Sequence, residues 1–162
     1  MTLTINRLHE LLSYDPATGN FMWKVGRQGT NKGQPAGGLD NRGYRFIRID
    51  GRRYYAHRLV LFYESGEWPP EQVDHINGAK GDNRRSNLRL ATPSQQSANS
   101  KLAVNNTSGA KGVVWSKRRR KWQVQVINFG TKHLGYYTNF DDARAAYRAG
   151  AIKFFGEYAR CT

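Results

Sequence analysis

Apolar residues at Ile5, Leu8, Leu11 and Leu12 recur at helical spacing and predict a short N-terminal helix. It ends at Tyr14-Asp15-Pro16-Ala17-Thr18-Gly19, a turn in which proline and glycine fix the backbone. Phe21 to Lys24 reads as a strand. Val25 to Leu39, rich in glycine and poor in apolar residues, reads as a mobile loop whose lysine and arginine face either DNA or plain solvent. From Gly43 the pattern alternates: Tyr44, Phe46, Ile47 and Ile49, then Asp50-Gly51, then Tyr54-Tyr55 predict a β-hairpin. Ala56 to Tyr63 returns to helical spacing, and Trp68-Pro69-Pro70 stops that helix before an extended approach to Val73.

Gln72 to His75 and Leu88 to Ala91 then read as two short strands around a loop rich in Asn, Gly, Lys and Arg. A helix follows from Pro93 to about Ser100, with Thr92 as N-cap and Gln95 closing a capping box. This strand, loop, strand, helix unit needs the preceding hairpin and helix as support, so residues 1–100 are expected to form one domain. A polar, acid-free linker covers 101–111, and 112–162 is expected to fold separately. There Gly112 to Trp115, Lys121 to Val126 and Lys132 to Tyr136 are strands, the middle one alternating Trp122, Val124 and Val126 against Lys121, Gln123 and Gln125. A helix capped by Thr138 carries Ala143, Ala146, Tyr147, Gly150, Ala151 and Phe154 as one apolar stripe. The fold class is α+β.

Charge sharpens this picture towards a partner. The 162 residues hold 26 Lys+Arg against 12 Asp+Glu, a net +14, which favours a polyanion. No acidic residue lies between Asn83 and Phe140, where aromatics and glycines interleave Arg84, Arg85, Arg89 and the basic run Lys117 to Lys121. No apolar run approaches the ~20 residues that span a bilayer, and the N-terminus lacks a signal-peptide pattern. The expectation is a cytoplasmic protein with no membrane partner. The single cysteine, Cys161, rules out an internal disulfide and a cysteine-built structural zinc site.

The chemistry concentrates at Val73 to Asn99. Asp74 offers a hard oxygen ligand suited to Mg2+ or Mn2+, and His75 an imidazole base titrating near ~6.5. Amides and arginines around them suit a phosphodiester, whose hydrolysis needs an in-line water, a base and a cation.

Val73-Asp74-His75-Ile76-Asn77-Gly78, Asp82-Asn83-Arg84, Asn87-Leu88-Arg89 and Ala91-Thr92, preceded by Ala56-His57-Arg58-Leu59-Val60, resemble the HNH (ββα-metal) nucleases of phages, many of them homing endonucleases. The stretch from Gly112 to Ala159 resembles the DNA-binding domain of plant ethylene-response factors, which also occurs fused to phage HNH nucleases. The resemblance implies a phage-encoded endonuclease acting on double-stranded DNA in a bacterial host cell, as a monomer or weak dimer. One centre per chain would nick one strand. His75 would be the general base and Asp74 a ligand of one divalent ion, while Asn87 would orient the histidine or hold the loop. The helix position that usually carries an Asn or His ligand holds Gln96, and Asn99 lies one turn on, so the second metal ligand is Gln96 or Asn99. Asn83 holds the loop, and His57 contacts phosphate or serves the core. In the tail, Arg118, Arg119, Arg120, Lys121, Gln123, Gln125 and Lys132 would read or hold DNA, with Arg84 and Arg85 adding contacts from the nuclease loop. The rival readings are a catalytically silent DNA-binding protein and a basic RNA-binding protein.

Overall fold

The computed structural model describes residues 2–26 and 31–161. Two compact units, Met1–Leu90 and Ala91–Thr162, each have a core of their own.

The first unit opens with α1 (Ile5–Leu11), whose Thr4 hydroxyl accepts from the Arg7 amide and whose Leu8 and Leu11 are buried. Leu12 leaves the helix and starts β1 (Leu12–Asp15), paired antiparallel with β2 (Asn20–Trp23). Sequence spacing did not indicate β1: Leu11-Leu12 prolongs a helical stripe, and only pairing with β2 draws the chain into a strand. Residues 31–39, read from sequence as loop, are exposed apart from Ala36 yet are tied to β2 and to the next sheet by backbone hydrogen bonds. Pro35 bridges Met22, and Ala36 donates to the Phe21 carbonyl at 2.7 Å. Arg27, the arginine of that loop, lies outside the described residues.

Next come β3 (Gly38–Leu39), β4 (Arg45–Ile49) and β5 (Arg52–Tyr55), a three-stranded sheet in that order. Asp50 and Gly51 turn the β4–β5 hairpin with φ of 46° and 77°, the left-handed pair this tight turn demands. α2 (Ala56–Ser65) buries Leu59, Val60 and Phe62. It ends at Gly66, left-handed at φ 77°, and not at Trp68-Pro69-Pro70 as sequence suggested, because Gly66 can turn its amide back onto the Phe62 carbonyl. Trp68 instead stacks on Phe62 with ring centroids 4.2 Å apart. β6 (Gln72–His75) and β7 (Leu88–Ala91) pair as a two-stranded sheet, joined by a loop with a single 3-10 turn at Arg85–Asn87.

In the second unit, α3 (Pro93–Asn99) has the full capping box between Thr92 and Gln95, and Ala98 enters the core. β8 (Val113–Ser116), β9 (Lys121–Ile127) and β10 (Thr131–Tyr137) form an antiparallel sheet with β9 central. α4 (Phe140–Phe155) packs Ala143, Tyr147, Gly150, Ala151 and Phe155 into the core with Val113, Val124 and Val126. Its N-cap is Asn139, one residue beyond the expected Thr138, because the Asn139 side-chain oxygen accepts from both the Asp141 and Asp142 amides.

Candidate active site and nucleic-acid face

β6 carries Asp74 and His75 at its end, both buried although ionisable side chains usually face water. The Asp74 carboxylate accepts from the Arg89 guanidinium of β7 at 3.2 Å. It is a hard oxygen donor already facing a cationic group. That donor chemistry fits a hard divalent ion, as do the amide oxygens of Gln96 and Asn99. Among the described residues no three His, Cys, Asp or Glu side chains cluster as a metal site.

The His75 Nε2 sits 3.1 Å from the Asn83 side-chain amide oxygen, Oδ1, and Asn83 is fully buried. Burial depresses the His75 pKa below its ordinary value, partly offset by the Asn83 bond and by the Asp74 charge. The ring is therefore neutral, with a lone pair, at neutral pH. His57, at the start of α2, packs edge-on to His75 with centroids 5.2 Å apart. Burial, helped by the neighbouring His75 and Arg58, pushes its pKa down to about 3. Its Nδ1 is buried without a hydrogen-bond partner among the described residues. Tyr44 and Tyr55 close over it, at 5.4 and 5.6 Å.

Of the two roles open to Asn87, the geometry favours holding the loop. Its oxygen accepts from the Asn77 amide at 3.0 Å, and its nitrogen donates to the Asp82 carbonyl at 2.8 Å. The Asn77 side chain is committed in turn, accepting from the Ala79 amide and donating to Asp82. Gly78 donates to the His75 carbonyl at 2.8 Å. Arg84 pairs with Asp82 and Arg85 with Glu64, each at 2.6 Å, so both heads brace the loop and its neighbours while staying about half exposed. Sequence reasoning missed Tyr14, Tyr44 and Tyr55 around this centre. Aromatic residues scattered over two strands and a loop have no spacing that points to one place.

Gln96, half-buried, and Asn99, buried, lie on α3 in the second unit. In the sheet of that unit, Trp122, Val124 and Val126 turn towards α4, where Trp122 meets Phe140 at 4.8 Å. Lys121, Gln123 and Gln125 take the opposite face. Cross-strand register adds Tyr136 beside Gln123 and His133 beside Gln125, two residues to which sequence assigned no role. Arg118, Arg119 and Arg120 are exposed in the β8–β9 turn, and the Arg119 guanidinium lies 4.4 Å over the Tyr136 ring. Lys132 stands opposite Val126 and so points to the other side of the sheet from Gln123 and Gln125.

Comparison with known proteins gives three findings. Residues 54–98 match the model of an HNH endonuclease family. Protein 3.8 of Escherichia phage T7 is 44% identical over 92 residues, covering 54% of this chain and 76% of that protein. A protein of Acanthamoeba polyphaga mimivirus, named an uncharacterized HNH endonuclease, is 29% identical over 146 residues, covering 89% of this chain and 68% of that one. No solved structure matches.

Proposed function

The chain belongs to the HNH endonuclease family and is a DNA-hydrolysing enzyme, and from that premise we propose a divalent-metal-dependent endonuclease in which His75 is the general base. The observation that carries the reading is an imidazole buried at the end of β6 beside a buried carboxylate, a burial that favours the neutral ring. A neutral ring can take the proton of a water aligned for in-line attack on phosphorus, which a charged one cannot. Asp74 would hold one Mg2+ or Mn2+, and the proposed second ligand is Gln96, at the helix position the family pattern uses, or Asn99 one turn on. Such an ion would supply charge neutralisation at the phosphate and at the departing 3′ oxygen. Asn87 closes the loop that presents His75. Residues 1–100 are the nuclease part, 101–111 a linker, and 112–162 an ethylene-response-factor-like part whose polar sheet face engages double-stranded DNA, as in homing-type enzymes. Tethering makes the second DNA contact intramolecular, so a weakly binding nuclease acts at a site its neighbour selects.

The test is relaxation or linearisation of supercoiled plasmid with Mg2+ or Mn2+. Cutting is expected with either ion, none with EDTA, and none from His75→Ala, while duplex binding persists in that variant. Wild-type protein that binds duplex yet leaves it intact with every divalent ion would sink the reading in favour of a silent binding protein.

A further inference from the structure

The centre has a support outside the segment that matches the family model, which begins at residue 54. Asn83 is the first link. Its amide nitrogen lies 3.3 Å from the Gly81 carbonyl and its amide oxygen 3.1 Å from His75 Nε2. Reversing the amide would set two oxygens against each other at Gly81, so the orientation is fixed by its neighbours. An amide oxygen only accepts, hence Nε2 must donate. A neutral imidazole has one N–H, which leaves the lone pair on Nδ1.

Asn83 is itself held from the N-terminal hairpin. The Tyr14 hydroxyl of β1 donates to the Asn83 carbonyl at 2.8 Å. Burial pushes the Tyr14 phenol up to about 12, so it remains a donor. The ring is fixed against Phe21 and Tyr63, with centroids 5.0 and 6.0 Å away. Gly19, in the β1–β2 turn at φ +76°, passes so close that a Cβ there would overlap the backbone of Asn83 and Arg84. The turn is closed by Asp15, whose carboxylate accepts from the Ala17 amide and the Thr18 hydroxyl and whose carbonyl accepts from the Gly19 amide.

We propose that the β1–β2 hairpin is part of the catalytic apparatus: Tyr14 and Gly19 are positioning residues for Asn83, which holds His75 as the Nε2–H tautomer with its basic lone pair on Nδ1. This rests on the reading of His75 as general base. The hairpin thus sets which nitrogen takes the proton of the attacking water, from a stretch of chain that precedes the segment matching the family model.

The tautomer is read directly from long-range proton–nitrogen correlations of the imidazoles in the 15N-labelled full chain, held well above the ordinary imidazole pKa of about 6.5. The His75 signals are identified by their loss in His75→Ala. The expected spectrum has a protonated Nε2 and an unprotonated Nδ1. Asn83→Leu should turn it into a mixture of tautomers and lower plasmid-nicking kcat roughly 10- to 100-fold at unchanged duplex affinity in EDTA. Asn83→Asp, which keeps an acceptor, should restore the Nε2–H pattern. Tyr14→Phe should cost about three- to tenfold in kcat, again without loss of affinity. A wild-type spectrum with the proton on Nδ1 overturns the proposal whether or not any variant folds, as does folded Asn83→Leu with wild-type kcat. Continued cutting by His75→Ala would instead defeat the base assignment and leave the spectrum unchanged, so the two failures are separable.

Discussion

At the scale of single residues, the neutral His57 couples the fold to pH. Its folded pKa of about 3 lies below the ordinary ~6.5 of an unfolded histidine, so unfolding takes up a proton wherever the pH falls between the two. The stability it contributes is complete above about 6.5 and drains away as pH drops towards 3, at a limiting slope of about 1.4 kcal/mol per pH unit. His75, depressed in the same direction, adds to the loss. Between pH ~6.5 and ~4 these histidines act before most carboxylates titrate. Thermal melts across that window should show a falling Tm, and His57→Phe should flatten the slope. An unchanged slope in that variant would mean that the ring is not held neutral by the fold.

At the scale of elements, Gly112 is the tightest junction in the second unit. Its φ is +62°, and a Cβ there would overlap the Gln125 carbonyl and the Tyr147 ring. Gly112→Ala therefore forces β8 away from both β9 and α4 and should cost about 2–4 kcal/mol by chemical denaturation. What sequence made legible divides along the same physical line. β6, β7, the β4–β5 hairpin and the capped α3 were readable because each is specified locally, by alternation, by Asp50-Gly51 or by the Thr92–Gln95 box. β1 and the backbone pairing of residues 31–39 were not, since each depends on a partner elsewhere in the chain. The site follows suit. Asp74 and His75 stood out as neighbours in one strand, whereas the pairing of Asn83 with His75 depends on loop closure that no spacing reveals.

At the scale of the whole molecule, a net charge of +14 makes binding to DNA strongly dependent on salt. If the polar sheet face engages DNA as proposed, two kinds of contribution separate. Lys121→Ala should weaken binding to all duplexes alike and reduce the slope of log affinity against log salt by about 1. Gln125→Ala should leave that slope alone and relax preference between sequences by about 1–3 kcal/mol at one position. Fluorescence anisotropy over a salt series on specific and random duplexes measures both; a salt slope indifferent to Lys121 would remove that residue from the interface. Among the described residues no helix is long and apolar enough to cross a membrane.

Loop closure by Asn77 and Gly78 also governs how the protein ages. Asparagine followed by glycine is the dipeptide most prone to deamidate, through a succinimide formed when the glycine nitrogen attacks the asparagine side-chain carbonyl. Here the Gly78 nitrogen is committed to the His75 carbonyl, and both ends of the Asn77 amide are bonded, to Ala79 and Asp82. The ring-closing geometry is reached only when the loop opens. Deamidation at Asn77, followed by peptide mass spectrometry during storage, should be slow in the wild type and quicken in Asn87→Ala, where the loop has lost its tether. Chemical damage at this one position is then a clock for opening of the active-site loop, legible without substrate or metal.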